Sequence, residues 1–517
     1  MLSLQLVLVA AATAAVFVSA QNCGWPQRAQ NDQFTSASQT AGLKSVDSVA
    51  YSVSANNQVL NTPLVFNTSG QTLAVVGSSD TLLRAFDVDS GTVKWTYSTG
   101  AEVTSTCTFS AVGNKNIVIC PSRVMKTFAW DAAAIASNPT AAPMWEYAGQ
   151  AVFDVAAPLV CPVKGIASDK VAWMVTLDGY MHAVSVMSGQ RLWRGLIDTT
   201  QTTDTGVHPV ALDAACTRFV ATANTVGTPT SGGHWRSSTV AFFKWAGNGT
   251  LGSNNFLTAI APPTVAAKLS QDIGQVQPVV VAPRLSAGAA SVVFFSTRSE
   301  QSINAGRLYA VNASSGAVIW MKQHSIYFSS PAYHARSKGL LVFGDTFVST
   351  VQAELKVLFI DSATGAELNT ATDPDSKWNP TQYDVGPSIS DTDQVVVPSS
   401  GGKVVFLKLT PQSDGGWAMA QQFSYALSAA DANNPITTPA VLLKGGSILV
   451  GTADGKIRKL SGSPEVCPPA RCACGGGGAS GGGGSNPISN SAPVHTVFAS
   501  VLIALALLLR TAFDVLV

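Results

Sequence analysis

The apolar residues of this chain fall in short runs that recur along its whole middle part. Several runs end at Gly-Gly or Asp-Gly turns, and another short apolar run follows each of these turns. Short apolar runs bounded by turn residues are typical of β-strands, because helices need longer periodic segments. The pattern predicts an all-β protein, with its clearest strands at 73–77, 117–120, 171–176, 292–296, 340–343, 395–397 and 448–451.

A second regularity is a Pro residue just before a short, mostly apolar strand. Seven such sites occur, and at an eighth Cys107 takes the place of Pro; consecutive sites lie 44 to 69 residues apart. Repeats of this size, each with room for about four strands, are typical of propeller blades. We therefore predict an eight-bladed β-propeller of four-stranded antiparallel blades over 45–465, with the sites at 63, 107, 158, 209, 278, 331, 387 and 439.

The last repeat is one strand short. It ends soon after its third strand, at 456–460, whereas the strand-like segment 45–53 precedes the first repeat and belongs to none. A ring that uses this segment as the missing strand leaves no open sheet edge at its seam. We predict that this N-terminal strand closes the ring.

An aromatic motif recurs inside the repeats. It reads Ala-x-Asp-x-x-Ser-Gly-x-x-x-Trp up to Trp95, and related copies end at Trp193 and Trp320, with Ser185 and Asn312 in the Asp position. The Gly can adopt a positive φ in the turn, and the Trp supplies a large apolar plate between neighbouring sheets. The three Trp residues are therefore predicted to be structural.

This motif resembles the tryptophan-docking repeat of the quinoprotein alcohol dehydrogenase-like propellers, often called PQQ-like repeats. That family includes pyrroloquinoline-quinone dehydrogenases and also non-catalytic scaffolds such as the outer-membrane assembly lipoprotein, so the fold does not decide the function. The alcohol dehydrogenases of the family have a vicinal Cys-Cys disulfide over the quinone, whereas this chain has only Cys472-Ala473-Cys474. We expect no cofactor, with PQQ and Ca²⁺ as the alternative.

The beginning of the chain has the pattern of a secretory signal. Residues 1–20 are mostly apolar and end in Val-Ser-Ala, which predicts a signal peptide cleaved near Gln21. Residues 21–44 then form an N-terminal segment before the first strand.

The other end predicts a membrane anchor. A flexible Cys/Gly/Ser-rich stalk at 466–493 leads to a hydrophobic tail at 494–517. Small residues, a short spacer and an apolar tail are the pattern of a GPI-anchor signal, and Asn490 is the preferred attachment residue. A single membrane-spanning helix over 497–517 is the alternative, although it would place Arg510 in lipid at considerable cost.

Eight Cys residues suit an oxidising compartment. Cys107 and Cys120 fall on consecutive strands of one blade, and Cys161 and Cys216 on adjacent blades, so each pair is predicted to form a disulfide. Closure of the ring brings the other four Cys close enough to bond: Cys23, Cys467, Cys472 and Cys474. A secreted chain could also carry glycans at three sequons, at Asn67, Asn248 and Asn312.

Composition excludes several function classes. Lys and Arg total 31 and Asp and Glu total 30, so the net charge of +1 leaves no basic surplus for binding nucleic acid. Hydrophobic residues reach 46% and charged residues only 12%, which is too apolar for a disordered chain. The six His are scattered without the spacing of a zinc site.

One polar pattern points to a ligand site. Asp residues stand shortly before the inner strands of several blades, in loops that gather at one end of the axial channel of a propeller. Carboxylates there suit a cation, or a cationic or sugar ligand, and the alternative is that each Asp caps a turn. The predicted site consists of Asp154, Asp204, Asp272, Asp384 and His208.

These observations favour a membrane-anchored, non-catalytic binding or scaffold protein at the cell surface. Its partner would be an extracellular protein or glycan, recognised by loops on a rigid disc. The first alternative is an extracellular dehydrogenase that uses PQQ and Ca²⁺. The second is a structural coat or adhesion component, in which assembly is the function.

Overall fold

The protein was analysed as a computed structural model. The structure describes residues 40–153, 157–197, 203–213, 215–226, 236–271, 275–276, 280–282, 291–298, 307–323, 330–344, 353–378, 385–399, 401–427 and 434–466.

Eight antiparallel sheets, here called blades 1 to 8, make up nearly all of the described chain. Blade 1 consists of β2 (Leu64–Thr68), β3 (Gln71–Gly77), β4 (Leu82–Asp87) and β5 (Val93–Ser98). Blade 2 consists of β6 (Thr108–Val112), β7 (Lys115–Ser122), β8 (Lys126–Asp131) and β9 (Trp145–Ala148). Blade 3 consists of β10 (Leu159–Val163), β11 (Ile166–Val175), β12 (Tyr180–Ser185) and β13 (Arg191–Leu196). Blade 4 consists of β14 (Thr203–Ala211), β15 (Arg218–Val226), β16 (Arg236–Lys244) and β19 (Thr264–Gln271).

The second half of the ring follows the same plan. Blade 5 consists of β20 (Gln275–Val276), β21 (Val280–Ala282), β22 (Val292–Arg298), β23 (Arg307–Asn312) and β24 (Val318–Gln323). Blade 6 consists of β25 (Ala332–His334), β26 (Gly339–Gly344), β27 (Ala353–Asp361) and β28 (Glu367–Trp378). Blade 7 consists of β29 (Ser388–Ile389), β30 (Gln394–Pro398), β31 (Lys403–Pro411) and β32 (Trp417–Ala426). Blade 8 consists of β33 (Val441–Leu442), β34 (Ile448–Gly451), β35 (Lys456–Ser461) and β1 (Ser48–Ser54).

The ring is closed as the sequence predicts. The fourth strand of blade 8 is β1, which pairs antiparallel with β35 from Ser48 opposite Ser461 to Ser54 opposite Lys456. The fold is therefore an eight-bladed β-propeller of four-stranded antiparallel blades, and the prediction of the fold class is confirmed.

The hydrophobic core lies between the blades rather than within one central layer. Each buried cluster combines side chains of adjacent sheets; Phe66 of blade 1, for example, shares a cluster with Val118 and Trp130 of blade 2. Because each sheet buries both faces against its neighbours, its middle strands are continuously apolar. This explains why the sequence shows short apolar runs instead of a strict alternation.

Two insertions interrupt the regular plan. The helix α1 (Ala132–Ser137) follows the third strand of blade 2, and Asp131 caps it by accepting a hydrogen bond from the backbone N–H of Ala133. A two-stranded hairpin, β17 (Gly249–Leu251) and β18 (Leu257–Ile260), follows the third strand of blade 4. The hairpin accounts for part of the unusual length of the fourth repeat.

Two disulfides occur among the described residues. Cys107 is joined to Cys120 beside the inner strands of blade 2, and Cys161 of blade 3 is joined to Cys216 of blade 4. These are the two pairs that the strand order predicts. The four Cys expected at the seam, Cys23, Cys467, Cys472 and Cys474, lie outside the described residues.

The two ends of the described chain pair with each other. Leu43 forms a β-bridge with Pro464, and Glu465 donates its backbone N–H to Gly42. The buried Gln394 side chain of blade 7 holds the same segment through both the N–H and the carbonyl of Leu43. No helix among the described residues is long and apolar enough to cross a membrane.

Candidate ligand-binding face

Antiparallel blades sort their connections onto two faces of the disc. We call the loop face the side that carries the turns between second and third strands and the loops between blades. We call the docking face the side that carries the other turns. In blade 1, the turn at 78–81 lies on the loop face and the turn at 88–92 on the docking face. Because the ligand site is predicted in the loops between blades, it would lie on the loop face.

A repeated ion pair fixes the turns of the loop face. In blade 1, Arg84 reaches back to Asp80, which also accepts a hydrogen bond from the hydroxyl of Ser78. Blade 8 repeats the arrangement, with Arg458 Nη2 at 2.9 Å from Asp454 Oδ2. The shared pattern is Ser/Thr-x-Asp at the end of the second strand and Arg on the third strand.

The environment of these carboxyl groups keeps them ionised. Burial would raise the pKa of Asp80, but hydrogen bonds from Arg84 and Ser78 outweigh it and lower the pKa. The pKa of Asp454 is lowered in the same way, by the hydrogen bonds from Arg458 and Thr452. Each turn therefore holds a neutralised ion pair rather than a free negative charge.

Blade 3 carries a variant of the same turn. Asp178 accepts a hydrogen bond from Thr176 Oγ1 at 2.5 Å, but its cation is Arg194 of the outer strand, at 3.1 Å. The Arg194 guanidinium stacks on the ring of Tyr180, 3.4 Å from the ring centroid. The position held by Arg in blades 1 and 8 is occupied here by His182.

His182 joins blade 3 to blade 2 through a buried polar chain. Its Nδ1 lies 2.7 Å from the hydroxyl of Tyr147, and its Nε2 lies 3.0 Å from Thr176 Oγ1. Burial, with a further contribution from Arg194, lowers the pKa of His182 to about 4. The imidazole is therefore neutral at physiological pH, where it can accept one hydrogen bond and donate another.

The turns of the loop face are also bonded to the loops that enter each blade. In four blades of the described chain, the residue after the Ser/Thr donates its backbone N–H to the preceding loop. The pairs are Ser79 to Gln58, Arg123 to Glu102, Leu177 to Val152 and Ala453 to Pro435. These four blades thus share one backbone hydrogen bond, which holds the loop that enters the blade against the turn between its second and third strands.

The structure describes only part of the predicted ligand site. Asp154, Asp272 and Asp384 lie outside the described residues. Asp204 and His208 lie within the inner strand β14 and not in the loop predicted before it, because this strand begins at Thr203; only their backbone is described. Nearby, Asn434 accepts a hydrogen bond from the backbone N–H of Asp454. The convergence of the predicted site residues on a common ligand stays a prediction.

Sequence reasoning missed the acidic residues that the structure does describe on this face. Asp80, Asp178 and Asp454 follow a Ser or Thr by two residues, immediately after a strand. That spacing is the signal that could have found them, because a Ser or Thr hydroxyl readily bonds to a side chain or backbone group two residues on. Across the described ranges, no group of three or more His, Cys, Asp or Glu side chains is arranged to hold a metal ion.

The docking face shows how the aromatic motif works. Trp95 donates its indole N–H to the carbonyl of Ala141 in the next blade, and Trp320 donates to that of Ser362. Trp145, which the motif search did not identify, makes the same bond to Val186. Trp193 instead lies edge-on to the buried ring of Trp173.

Tyr51 plays the part of the docking Trp at the seam of the ring. Its hydroxyl donates a hydrogen bond of 2.6 Å to the carbonyl of Val88, the position that Val186 and Ser362 hold in their blades. A Cβ added to Gly91 would meet the Tyr51 ring, as one added to Gly189 would meet the Trp145 ring.

The two departures from the motif are compensated locally. Asn312 accepts hydrogen bonds from the N–H groups of Ser314 and Ser315, as an Asp would. Ser185 accepts one from the N–H of Ser188 and donates to the buried carboxylate of Asp169. Of the predicted sequons, Asn67 and Asn248 are exposed and Asn312 is half-buried within its turn.

Comparisons with known proteins agree with the fold. No protein-family model and no curated protein matches the chain. Among solved structures, the quinohemoprotein alcohol dehydrogenase from Comamonas testosteroni has a TM-score of 0.55 at 11% identity, over 86% of this chain and 82% of that one. A second quinohemoprotein alcohol dehydrogenase, ADHIIG from Pseudomonas putida HK5, has a TM-score of 0.54 at 10% identity, over 93% and 85%. Sqt1 from Saccharomyces cerevisiae has a TM-score of 0.53 at 12% identity, over 81% and 100%.

The chain thus has the propeller fold of the PQQ-like repeat proteins. The resemblance expected from the docking motif is shown at the level of the fold. Identities this low carry no activity or partner from those proteins to this chain.

Proposed function

We propose that this chain is a membrane-anchored cell-surface propeller that binds an extracellular protein or glycan through its loop face without catalysis. The observation that carries the proposal is the bonding of the turns to the loops, at Ser79, Arg123, Leu177 and Ala453. A recognition surface that is already ordered loses little conformational entropy when a partner binds.

The chemistry of the described loop face also favours recognition over catalysis. Asp80 and Asp454 each form an ion pair with an Arg of their own blade. Both ring nitrogens of His182 are hydrogen-bonded, to Tyr147 and to Thr176. Groups bound in this way are poorly placed to move protons to and from a substrate. Glu102 and Arg123 are also ion-paired, at 2.9 Å, but both side chains are more than 40% exposed, so a partner can reach this pair at the surface.

The position of the chain ends supports display of this face. The third strand of blade 8 runs from the loop face to the docking face, so residues 462–466 and their partner segment at 42–44 lie on the docking face. A stalk that follows residue 466 would therefore leave from the docking face, so it would not cover the loop face.

A paired substitution tests which face binds. We expect the labelled chain to bind members of an array of extracellular glycans and proteins, and Arg123→Ala with Glu102→Ala to weaken this binding. The matched control is Lys444→Ala with Asp414→Ala, which removes one exposed cation and one exposed anion from the docking face. Binding that is lost in the control and kept in the loop-face variant would contradict the proposal.

The main alternative is an extracellular dehydrogenase that uses PQQ and Ca²⁺, and the fold similarity to the quinohemoprotein alcohol dehydrogenases is its support. Isothermal titration with PQQ, with and without Ca²⁺, and an absorbance scan on the same sample separate the two. We expect no quinone binding. Tight, Ca²⁺-dependent quinone binding would replace our proposal with the dehydrogenase.

The anchor has its own test. Treatment of cells that display the full chain with a phosphatidylinositol-specific phospholipase C should release it. Retention on the cells would indicate the single membrane-spanning helix instead, and a chain found only in the medium would contradict both forms of anchor.

A further inference from the structure

The outer edge of blade 5 is unusually apolar. On β24, Val318, Ile319 and Met321 are 36%, 49% and 45% exposed. The outer strands of the two flanking blades each add one exposed apolar residue, Val265 on β19 and Leu368 on β28. More than half of the large exposed hydrophobic side chains in the described chain therefore lie on the rim of blades 4 to 6.

The outer strands elsewhere look different. On β5 of blade 1, the exposed positions are Val93, Thr96 and Ser98, and on β9 of blade 2 they are Glu146 and Ala148. Polar and charged residues on an edge strand normally discourage further strand pairing. On β24, in contrast, three of the five exposed positions carry large apolar side chains, and Lys322 and Gln323 are the polar ones.

The backbone of β24 is also open to pairing. Within the described residues it pairs only with β23, and it is the last strand of its sheet. Its residues, Val-Ile-Trp-Met-Lys-Gln, include two β-branched residues and an aromatic one, which favour extended pairing. The strand is thus a template to which another strand can be added.

We propose that β24 pairs antiparallel with β24 of a second copy of the chain. With Trp320 opposite Trp320 of the second copy, Ile319 faces Met321 and Val318 faces Lys322. No like charges stand opposite each other, and the apolar residues cover one another. An extended peptide from another protein would also fit an open edge, but the identical strand matches this one in length and in the placement of its charge.

The pairing sets the relative orientation of the two propellers. Antiparallel identical strands in one sheet are related by a twofold axis perpendicular to that sheet. One disc is therefore turned over relative to the other, and their chain ends leave on opposite sides. With the membrane anchor proposed above, such a pair would join copies on two facing membranes; the pairing itself does not depend on the anchor.

Sedimentation velocity of the purified full chain in non-ionic detergent tests the pairing. We expect a concentration-dependent dimer, and Ile319→Glu with Met321→Glu should raise its Kd by about tenfold or more. The matched control is Val93→Glu on β5, which changes a similarly exposed apolar residue of another outer strand and should leave the Kd unchanged.

A charge swap makes the test specific for this edge. The double Glu variant should associate with the corresponding double Lys variant, Ile319→Lys with Met321→Lys. The mixture is measured at a concentration at which each variant alone is monomeric. Failure of the mixture to associate would overturn the proposal, as would a wild-type chain that stays monomeric or a Val93→Glu chain that loses the dimer. Dimers in the mixture with a melting temperature like that of the wild type would support it.

Discussion

At the scale of the residue, the docking turns show why glycine is needed at one position. Gly91, Gly189 and Gly365 all have a φ near +70°, and each lies against the aromatic ring of the preceding blade. The two requirements are separate, because a positive φ disfavours any side chain, whereas the ring excludes even a methyl group.

Replacement of Gly189 by Ala should lower the free energy of unfolding by about 2–4 kcal/mol, from backbone strain together with overlap of the new Cβ and the Trp145 ring. Gly165→Ala in the same blade is the matched control, because Gly165 has a similar φ but no atom within 4 Å of the position that a Cβ would take. We expect about 1–2 kcal/mol there. Equal losses in chemical denaturation would contradict the role assigned to the ring.

His182 gives the fold a specific dependence on pH. Its pKa is about 4 in the folded chain and near 6.5 when unfolded, so between these values the unfolded state binds a proton that the folded state does not. Stability should therefore fall by up to a few kcal/mol as the pH drops from 6.5 to 4. The carboxyl groups of Asp80 and Asp454, whose pKa values are lowered, lose their contribution only at more acidic pH.

Denaturant unfolding between pH 7 and pH 4 checks this, with His182→Gln as the comparison, because Gln keeps a donor and an acceptor but does not titrate in this range. The variant should show a clearly smaller loss of stability over the interval. The same loss in both proteins would assign the effect to other groups.

At the scale of the element, the sequence predicts much of what the structure shows. Pro at or just before the inner strand recurs in seven of the eight blades, and the turn-Trp motif recurs in three, so eight blades and the missing strand could be found by counting. The contacts of residues that depart from the motif could not be predicted. Tyr51 takes the place of Trp at the seam, and Asp169 accepts a hydrogen bond from Ser185 of a neighbouring strand. Tyr51 and Val88 meet across two blades, whereas Asp169 and Ser185 meet across neighbouring strands of blade 3. Neither contact is marked by a pattern within one strand or turn.

On the loop face, the sequence predicts acidic side chains but not all of their partners. The acidic residues before the inner strands predict a ligand site on the loop face. The carboxylates in the turns of blades 1, 3 and 8 on that face are bound by Arg84, Arg194 and Arg458. In blades 1 and 8 the Arg follows its Asp by four residues, which is a local pattern in the sequence. In blade 3 the Arg comes from the fourth strand, 16 residues after Asp178, and no local pattern connects the two. The predicted ring at 154, 204, 272 and 384 stays a prediction.

The strand β1 is the element on which closure depends. Deletion of residues 45–53 would remove its ladder with β35, the buried Val53 side chain and the Tyr51 contact. Total stabilities of domains are only about 5–15 kcal/mol, so we expect a fall of the melting temperature by about 10 °C or more. Ser52→Asp, an exposed change on the same strand, is the control. An unchanged melting temperature after the deletion would contradict closure by β1.

At the scale of the whole molecule, the propeller separates its tasks between two faces. The docking face holds the blades together through indole and phenol hydrogen bonds, and both described chain ends lie there. The loop face carries the ion-paired turns and is the face that we propose for recognition. The rim adds a third surface at blade 5, where self-association would use neither face.

Hydrogen exchange on the loop face tests the central claim most directly, because binding by a preordered surface requires the turns to be rigid. Native-state exchange followed by mass spectrometry would measure the backbone amides of Ser79, Arg123, Leu177 and Ala453. The account predicts protection close to that of the adjoining second strands, and far above that of the exposed tip at Ser413 in the turn after β31. Exchange of these four amides as fast as at that tip would contradict a preordered loop face.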